Sequence, residues 1–394
     1  WVVIGGAKPF YEAWFSITDP AQSGWAMSSA LLGCIFGALI SGWCADKLGR
    51  KLPLILSAVL FSASAWGTAV ASHFDMFVVY RIVGGVGIGL ASALSPLYIA
   101  EVSPAEKRGR FVAVNQLTIV IGVLAAQLIN LMIAEPVEPG ATQQMIVDSW
   151  NGQMGWRWMF GAELVPALAF LVLMFFVPES PRWLMKAGKP ERARSALERI
   201  GSAAYADRIL REIAHTLEKD NNKVSYGALL APQVKPIVII GMVLAIFQQW
   251  CGINVIFNYA QEIFASAGVG FKRPLQSIGG SGGGFSLFFN LVFTIAALPL
   301  VDKIGRRKLM LLGASGLTLI YVLIASAYAM GIMGWPVLLL VLAAIAIYAL
   351  TLAPVTWGLL AEVFSQPRTW TRDVFRYPGA VDRLFPVNLY FPAA

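Results

Sequence analysis

The amino-acid sequence predicts an all-α membrane protein made of two similar helical bundles. Hydrophobic residues form 57% of its 394 residues and charged residues only 13%, whereas soluble proteins carry about 25% charged residues. Several apolar runs reach about 20 residues, the length that a helix needs to cross the hydrocarbon layer. A charged motif that follows one of these runs in the first half recurs in the second half.

The first half is expected to contain one shortened helix and five full spans. Residues 1–6 are apolar but too few to span, and Asp19-Pro20 signals a turn, so residues 1–24 are expected to form the outer end of a helix and a loop. Together these elements form a predicted N-terminal bundle, residues 1–178. Full spans are expected at about residues 25–43, 54–71, 76–100, 111–134 and 158–177.

The second half begins after a change in composition. Residues 179–234 are rich in Lys, Arg, Glu and Ala, which predicts a solvated helical linker on the cytoplasmic side. A C-terminal bundle is expected over residues 235–365, and residues 366–394 contain no apolar run of spanning length, which predicts a non-membrane tail. The spans of the second bundle are expected at about residues 237–264, 285–301, 309–330 and 337–360.

Basic residues are concentrated in alternate loops. Residues 46–51 (DKLGRK) and 302–307 (DKIGRR) each follow a span, while residues 135–155 contain acids and no Lys or Arg. The basic loops are therefore expected in the cytoplasm. The net charge of +8 is better explained by this topology than by nucleic-acid binding.

The two basic loops also form an internal repeat. The DKLGRK motif of the first half and the DKIGRR motif of the second half both stand between two spans, and Glu101-Val-Ser-Pro is echoed by Glu362-Val-Phe-Ser. Such symmetry is typical of a transporter whose two bundles enclose a site at their interface.

A cluster of amides interrupts the apolar run 237–264. A buried amide without a partner costs about 2–7 kcal/mol, so Gln248, Gln249 and Asn254 are expected to face partners or a polar cavity. Side-chain amides donate and accept hydrogen bonds, as sugar hydroxyls do, so these residues, with Gln116 and Asn290, are candidate sugar ligands. For each amide taken alone, an interhelical hydrogen bond is the alternative.

One helix cannot present Gln249 and Asn254 on the same face. At about 100° per residue the two side chains point in different directions, so both reach one ligand only if the helix unwinds between them. Gly252 stands at the position where such an interruption is expected.

Taken in order, the motifs resemble those of sugar porters of the major facilitator superfamily, and most of all the bacterial xylose–proton symporters. The resemblance covers roughly residues 2–364 and implies a fold of two pseudo-symmetric bundles that transports a monosaccharide and uses no cofactor or metal. The motifs are DKLGRK at 46–51, RIVGG at 81–85, PLYIAE at 96–101, RG at 108–109, PESPRW at 178–183, QQWCGIN at 248–254, DKIGRR at 302–307 and PVTW at 354–357.

The resemblance also assigns the gate and another wall of the sugar site. Trp357 offers a flat indole face to sugar C–H groups, and Pro354 would kink the last span. Tyr259 is a gate residue by resemblance, although Asn258 stands where relatives often have a second tyrosine. Generic aromatic packing is the alternative for Trp357.

Two charges stand inside predicted spans. Arg81 and Glu163 lie at similar depths, roughly 9 Å from the outer ends of their helices, and charges at one depth are expected to pair. The matching residues of the xylose symporters take part in proton coupling. A structural ion pair is the alternative.

Further charges lie at the cytoplasmic ends of the spans. Acids and bases at such positions can latch two bundles together, while a signal for topology alone would explain the bases but not the acids. The predicted charge latch consists of Asp46, Arg50, Glu101, Arg108, Glu179, Arg182, Asp302, Arg306 and Glu362.

The chain departs from the resembling family at both ends. The family's first-span acidic residue would fall before Trp1, and the family's last two spans have no counterpart after Ser365. We therefore expect an incomplete fold with a partial first helix. A frameshifted or truncated gene, or a fragment, would account for both departures.

Several functions remain open at this point. Proton-coupled uptake of xylose or another pentose or hexose is the leading one, and a facilitative uniporter, a non-transporting sugar sensor and a non-functional fragment are alternatives. An enzyme is not expected, since His73 and His215 lie outside the spans and no nucleophile–base pair is visible. The expected partners are a monosaccharide, protons and the lipid bilayer, without nucleic acid, and the expected state is a monomer in the cell (inner) membrane.

Overall fold

The computed structural model describes residues 2–104, 108–135, 142–219, 235–253, 256, 283–332 and 334–356. All regular secondary structure in these residues is helical, and six of their helices are long and apolar enough to cross a membrane. They fall into two compact units, one built from residues 2–219 and 283–288 and the other from residues 235–253, 256, 289–332 and 334–356. Asn254, Tyr259, Trp357, Glu362 and the tail 366–394 lie outside the described residues.

The N-terminal unit has helices over all the segments expected as spans in the first half; four of these are long and apolar enough to cross a membrane, and α5 contains a shorter apolar stretch, Leu117–Ile133. Helix α1 continues through Pro9 to Trp14, so the expected loop is shorter than the turn signals indicated. The sixth span begins at Asn151, seven residues earlier than expected, because a π-helical turn, Asn151–Gly155, precedes α7. The helices are α1 Val2–Trp14, α2 Pro20–Leu48, α3 Lys51–Val70, α4 Phe74–Val102, α5 Arg108–Ile133, α6 Gln143–Asp148, α7 Trp156–Gly161 and α8 Leu164–Phe176.

Helix α2 begins at Pro20, ahead of the expected residue 25, because residues 19 and 20 form a helix start. Asp19 has an extended backbone, and its carboxylate accepts a hydrogen bond from the Ala21 backbone N–H at 3.0 Å. Proline is favoured in the first turn since its missing N–H has no helical partner there. The Asp-Pro pair thus ends the loop and starts the span.

Helices α2 and α4 pack backbone to backbone. A Cβ atom at Gly85 would overlap the carbonyl oxygen of Ala30, and one at Gly89 would overlap that of Cys34. Glycine at these two positions therefore allows the backbones of α2 and α4 to approach closely.

One end of the N-terminal unit is closed by an aromatic cluster. Tyr11, Phe77, Trp156 and Phe160 are buried and pack ring against ring, with centroid separations of 5.2–6.4 Å. The Arg157 guanidinium lies over the Trp156 ring and donates to two carbonyl oxygens at the end of α3, Ala69 and Ala71, at 2.9 and 2.8 Å. The arginine thereby satisfies acceptors that the helix end leaves open.

The linker forms three helices that pack on one another. The small apolar cluster of Leu184, Ala193 and Ala196 holds them together, while Arg194 pairs at the surface with Glu198 and Asp207. Exposed pairs of this kind contribute little, about 0–1 kcal/mol each. The helices are α9 Pro181–Lys186, α10 Pro190–Glu198 and α11 Ala203–Lys219.

The C-terminal unit contains two interrupted helices. The first ends at Trp250, and Gly252 follows with φ +82°, so the predicted interruption at Gly252 is present. The last helix ends at Leu350, Thr351 departs from helical geometry, and residues 352–356 are helical again. The helices are α12 Lys235–Trp250, α13 Gly283–Ile304, α14 Arg306–Ala329 and α15 Trp335–Leu350.

The α2–α4 contact makes a prediction about stability. Gly85→Ala should destabilise the protein by about 1–3 kcal/mol, because the added methyl group forces two backbones apart. Gly42→Ala is the matched control, since nothing lies within 4 Å of a Cβ atom at Gly42 of the same helix pair. Thermal unfolding in detergent should show a lower midpoint for Gly85→Ala only; equal midpoints would contradict the packing.

Candidate functional site

A buried ion pair lies where α2, α4 and α9 meet. Arg50 Nη2 donates to Glu101 Oε1 at 2.8 Å, and Nη1 donates to the Ala45 carbonyl oxygen at 2.7 Å. The second carboxylate oxygen of Glu101 accepts from the Ser180 hydroxyl at 2.5 Å. The two charged side chains are only 11% and 7% exposed. Such a pair tolerates burial because hydrogen bonds satisfy both carboxylate oxygens.

Glu179 extends this charge cluster to the start of α3. Its Oε1 accepts from the backbone N–H groups of Arg50 and Lys51 at 2.9 and 3.2 Å. A carboxylate is favoured there because the first N–H groups of a helix lack partners and carry partial positive charge. Gly49 has φ +89°, and a Cβ atom there would overlap the Glu179 carboxylate. The glycine of the DKLGRK motif thus serves both the turn and the carboxylate.

The remaining latch residues are distributed differently. Asp46 accepts from Lys186 Nζ at 3.0 Å in an exposed pair, and Arg182 is exposed on α9. Arg108, Asp302 and Arg306 lie at helix ends, but their side chains are outside the described part of the chain, as is Glu362. The structure thus brings together Arg50, Glu101 and Glu179, and their role as a latch stays a prediction. Ser180 was missed, because a lone serine gives no sequence signal.

The charge cluster predicts unequal effects for its two acids. Glu101→Gln should destabilise the protein by about 1–3 kcal/mol, because the buried Arg50 guanidinium loses its counter-charge but keeps a hydrogen-bond acceptor. Asp46→Asn should cost less than about 1 kcal/mol, since the pair with Lys186 is exposed. Thermal unfolding of both variants checks this; a larger loss for Asp46→Asn would refute the assignment.

Arg81 and Glu163 share a cavity inside the N-terminal unit. The cavity has a volume of about 360 Å³ and is also lined by Ser64, Cys34 and several small or apolar residues. The guanidinium is buried; its Nη2 donates to the Met27 carbonyl oxygen at 3.4 Å, and its Nε has no partner among the described residues. The arginine is therefore weakly satisfied for a buried charge.

The expected direct ion pair between Arg81 and Glu163 is not formed. Both side chains belong to the described residues, and no salt bridge joins them, although they are near enough to interact electrostatically. Equal depth fixes the level of two side chains but not the direction in which each points. Tyr11, whose buried hydroxyl also lacks a described partner, interacts with Arg81 from α1 and was not identified from the sequence.

In the C-terminal unit the amides of α12 form a hydrogen-bonded series. Gln248 is 7% exposed, and its Nε2 donates to the Tyr348 hydroxyl of α15 at 3.0 Å. Gln249 is exposed, and its Nε2 donates to Gln248 Oε1 at 3.0 Å. The predicted pair is thus divided between one buried and one accessible amide. Tyr348 was not identified from the sequence, because a tyrosine within an apolar segment is ordinarily interpreted as a residue that packs in the core.

The other amide candidates are Asn290, Gln116 and Asn254. Asn290 is buried in α13 with an Oδ1 that has no partner there, and the Thr294 hydroxyl, one turn later, is in the same condition. Gln116 lies on α5, but its side chain is outside the described part, as are Asn254 and the whole of Trp357. Pro354 is half-buried in the helical residues that follow Thr351.

A cavity of about 770 Å³ lies between α12, α14 and α15. Its wall includes Gln248 and Gly252, but most of its lining is apolar, with Phe247, Met310 and Leu317 among the residues. Among the described residues this lining is thus mostly apolar, and a polar cavity beside the amides stays a prediction. The cavity forms an apolar flank behind Gln248, which leaves that amide dependent on Tyr348 and Gln249 for hydrogen bonds.

Sequence comparison finds similar proteins over most of the chain. Residues 9–369 match the model of the family described as "Sugar (and other) transporter". The D-xylose-proton symporter of Escherichia coli K12 is 39% identical over 360 residues, which cover 86% of this chain and 70% of that protein. The arabinose-proton symporter of Bacillus subtilis is 34% identical over 363 residues, covering 92% and 75%.

Solved structures show the same relationship. The xylose transporter XylE from Escherichia coli, in a partially occluded inward-open conformation, has a TM-score of 0.75 and 33% identity, covering 96% of this chain and 87% of that chain. The proton:xylose symporter XylE bound to 6-bromo-6-deoxy-D-glucose has a TM-score of 0.78 and 33% identity, covering 97% and 85%.

Proposed function

The chain belongs to the sugar transporter family of the major facilitator superfamily, and from that premise we propose that it carries a monosaccharide across the cell membrane by proton-driven alternating access. It is a multi-pass membrane protein, and its family and the relatives named above are transporters, not enzymes. The substrate is a pentose or hexose, as the names of the related xylose and arabinose symporters suggest.

The amide pair of α12 is the observation that carries this proposal. Gln249 is exposed and held by Gln248, which is buried. An amide in this setting offers a donor and an acceptor at a defined position without burying a charge, which suits the hydroxyl groups of a sugar. Sugar binding is thus assigned to the Gln249 side of the pair.

The interrupted helices support alternating access. Helix α12 ends just before Gly252, and α15 is interrupted at Thr351 before Pro354. Broken helices let the two parts of a span tilt separately, and transporter sites are typically built from such helices. Movement of the segments beyond Gly252 and Thr351 would then open and close one side of the site.

Proton coupling is assigned to the Arg81–Glu163 cavity. A proton taken up by Glu163 removes the charge that faces Arg81 across the cavity, so the arginine must turn to other acceptors. Because the two groups are not locked in a direct salt bridge, the cavity has room for this change.

Uptake measurements test the proposed function. In proteoliposomes, labelled xylose and glucose should accumulate when the outside is acidic, and one pH unit can sustain about tenfold accumulation for one proton per sugar, since it is worth about 1.4 kcal/mol. Equilibration without accumulation would indicate a uniporter. Sugar binding without any flux would indicate a sensor, and neither binding nor flux would refute the proposal.

Glu163→Gln tests the proton site. This change should abolish accumulation driven by a pH gradient, because the amide cannot take up a proton, while sugar counterflow should persist. Glu12→Gln is a control that changes an acid elsewhere in the same unit. If Glu163→Gln still accumulates sugar against its gradient, proton coupling does not run through this carboxylate.

A further inference from the structure

We propose that Tyr348 is a positioning residue of the sugar site. Its hydroxyl orients the Gln248 amide, Gln248 in turn orients Gln249, and the same hydrogen bond joins α12 to α15 next to the point where each helix is interrupted. The inference rests on the proposed function, because it concerns how the sugar-binding amide is held.

The hydrogen bonds run in one series from α15 to the accessible amide. The Tyr348 hydroxyl accepts from Gln248 Nε2, and Gln248 Oε1 accepts from Gln249 Nε2, each at 3.0 Å. Gln248 thus uses both ends of its amide inside the protein. It is 7% exposed and lines the cavity between α12, α14 and α15, so its orientation fixes both its own place in the cavity wall and the position of Gln249.

The surroundings of Gln248 offer few other hydrogen-bond acceptors that could take the place of the Tyr348 hydroxyl. The cavity beside the amide is lined mostly by apolar side chains, such as Leu244 and Ile256, that cannot accept a hydrogen bond. A buried donor that loses its acceptor costs more than the hydrogen bond contributed, because it is no longer hydrated. Without the phenol, the Gln248 amide is expected to rotate in search of a partner, and Gln249 would lose its fixed acceptor.

The position of the bond along the two helices gives it a second role. Gln248 lies within about one helical turn of Gly252, and Tyr348 within one turn of Thr351. The bond therefore joins α12 and α15 close to both interruptions. A sugar bound by Gln249 would be connected to α15 through the same hydrogen bonds.

Tyr348→Phe tests this directly, because it removes only the hydroxyl oxygen. The dissociation constant for xylose, measured by calorimetry on the purified protein, should rise about 3–10-fold, which is the range expected for one hydrogen bond. The transport KM should rise by a similar factor, with the maximal rate within about twofold of the unmodified protein.

Tyr321→Phe is the matched control. Tyr321 lies on the neighbouring helix α14, and its buried hydroxyl has no hydrogen-bond partner among the described residues. Removing that oxygen should leave the xylose dissociation constant unchanged. Both variants remove a phenol oxygen from the same unit, and only that of Tyr348 has a described hydrogen-bond partner.

A double-mutant cycle separates positioning from general loss of structure. In a Gln248→Met background, Tyr348→Phe should have no further effect on xylose affinity, since the bond is already absent. Two results would overturn this inference and leave the proposed function standing. One is that the effects of the two substitutions are additive, and the other is that the Tyr348→Phe and Tyr321→Phe proteins have equal affinities for xylose. An unmodified protein that binds no sugar would overturn it together with the proposed function.

Discussion

A polar group buried away from water needs a hydrogen-bond partner within the protein, and this constraint determines where the buried polar and charged residues lie. Hydrocarbon supplies neither donors nor acceptors, so each buried amide or charge has to be placed against another element. Arg50 has Glu101, Gln248 has Tyr348, and Asn151 has both backbone groups of Glu135. Each of these pairs also joins two segments that are far apart in the sequence, so the same bonds organise the helices.

Arg81 follows this rule less well than Arg50 does. Its guanidinium has one long hydrogen bond and a nitrogen without a described partner, in a cavity that Glu163 also lines. Arg50 also has an Nε without a described partner, but Glu101 gives it a direct counter-charge. Arg81 has no direct salt bridge among the described residues, and the proposed proton coupling rests on this difference.

The sequence was a good guide wherever one residue type was required by local geometry. The spans follow from length and hydropathy, and the break of α12 from Gly252. The Arg50–Glu101 cluster followed from matched charges at helix ends. In each case sterics or the cost of a buried charge allows few local arrangements, so the residue type itself predicts the structure at that position.

The contacts and positions that could not be predicted from the sequence share a different cause. Which helix face meets which neighbour is set by packing over the whole unit, so the bond between Gln248 and Tyr348 had no local signature. The same reason left the directions of Arg81 and Glu163 undetermined, although their depth was estimated. The sixth span starts early, at Asn151, where the buried Asn151 side chain binds the backbone of Glu135. This contact could not be predicted from the sequence, because the residues around Asn151 are polar and rich in glycine.

The carboxylate of Glu179 has a consequence for how the protein is made. It satisfies the N–H groups at the start of α3 from a position 129 residues further along the chain. At a synthesis rate of about 5–20 residues per second, the ribosome needs roughly 6–26 seconds to supply it. During that time the turn at Gly49 has been inserted but its backbone donors still face water. The hydrogen bonds at the turn between α2 and α3 are therefore completed only after α8, the last span of the unit, has been synthesised.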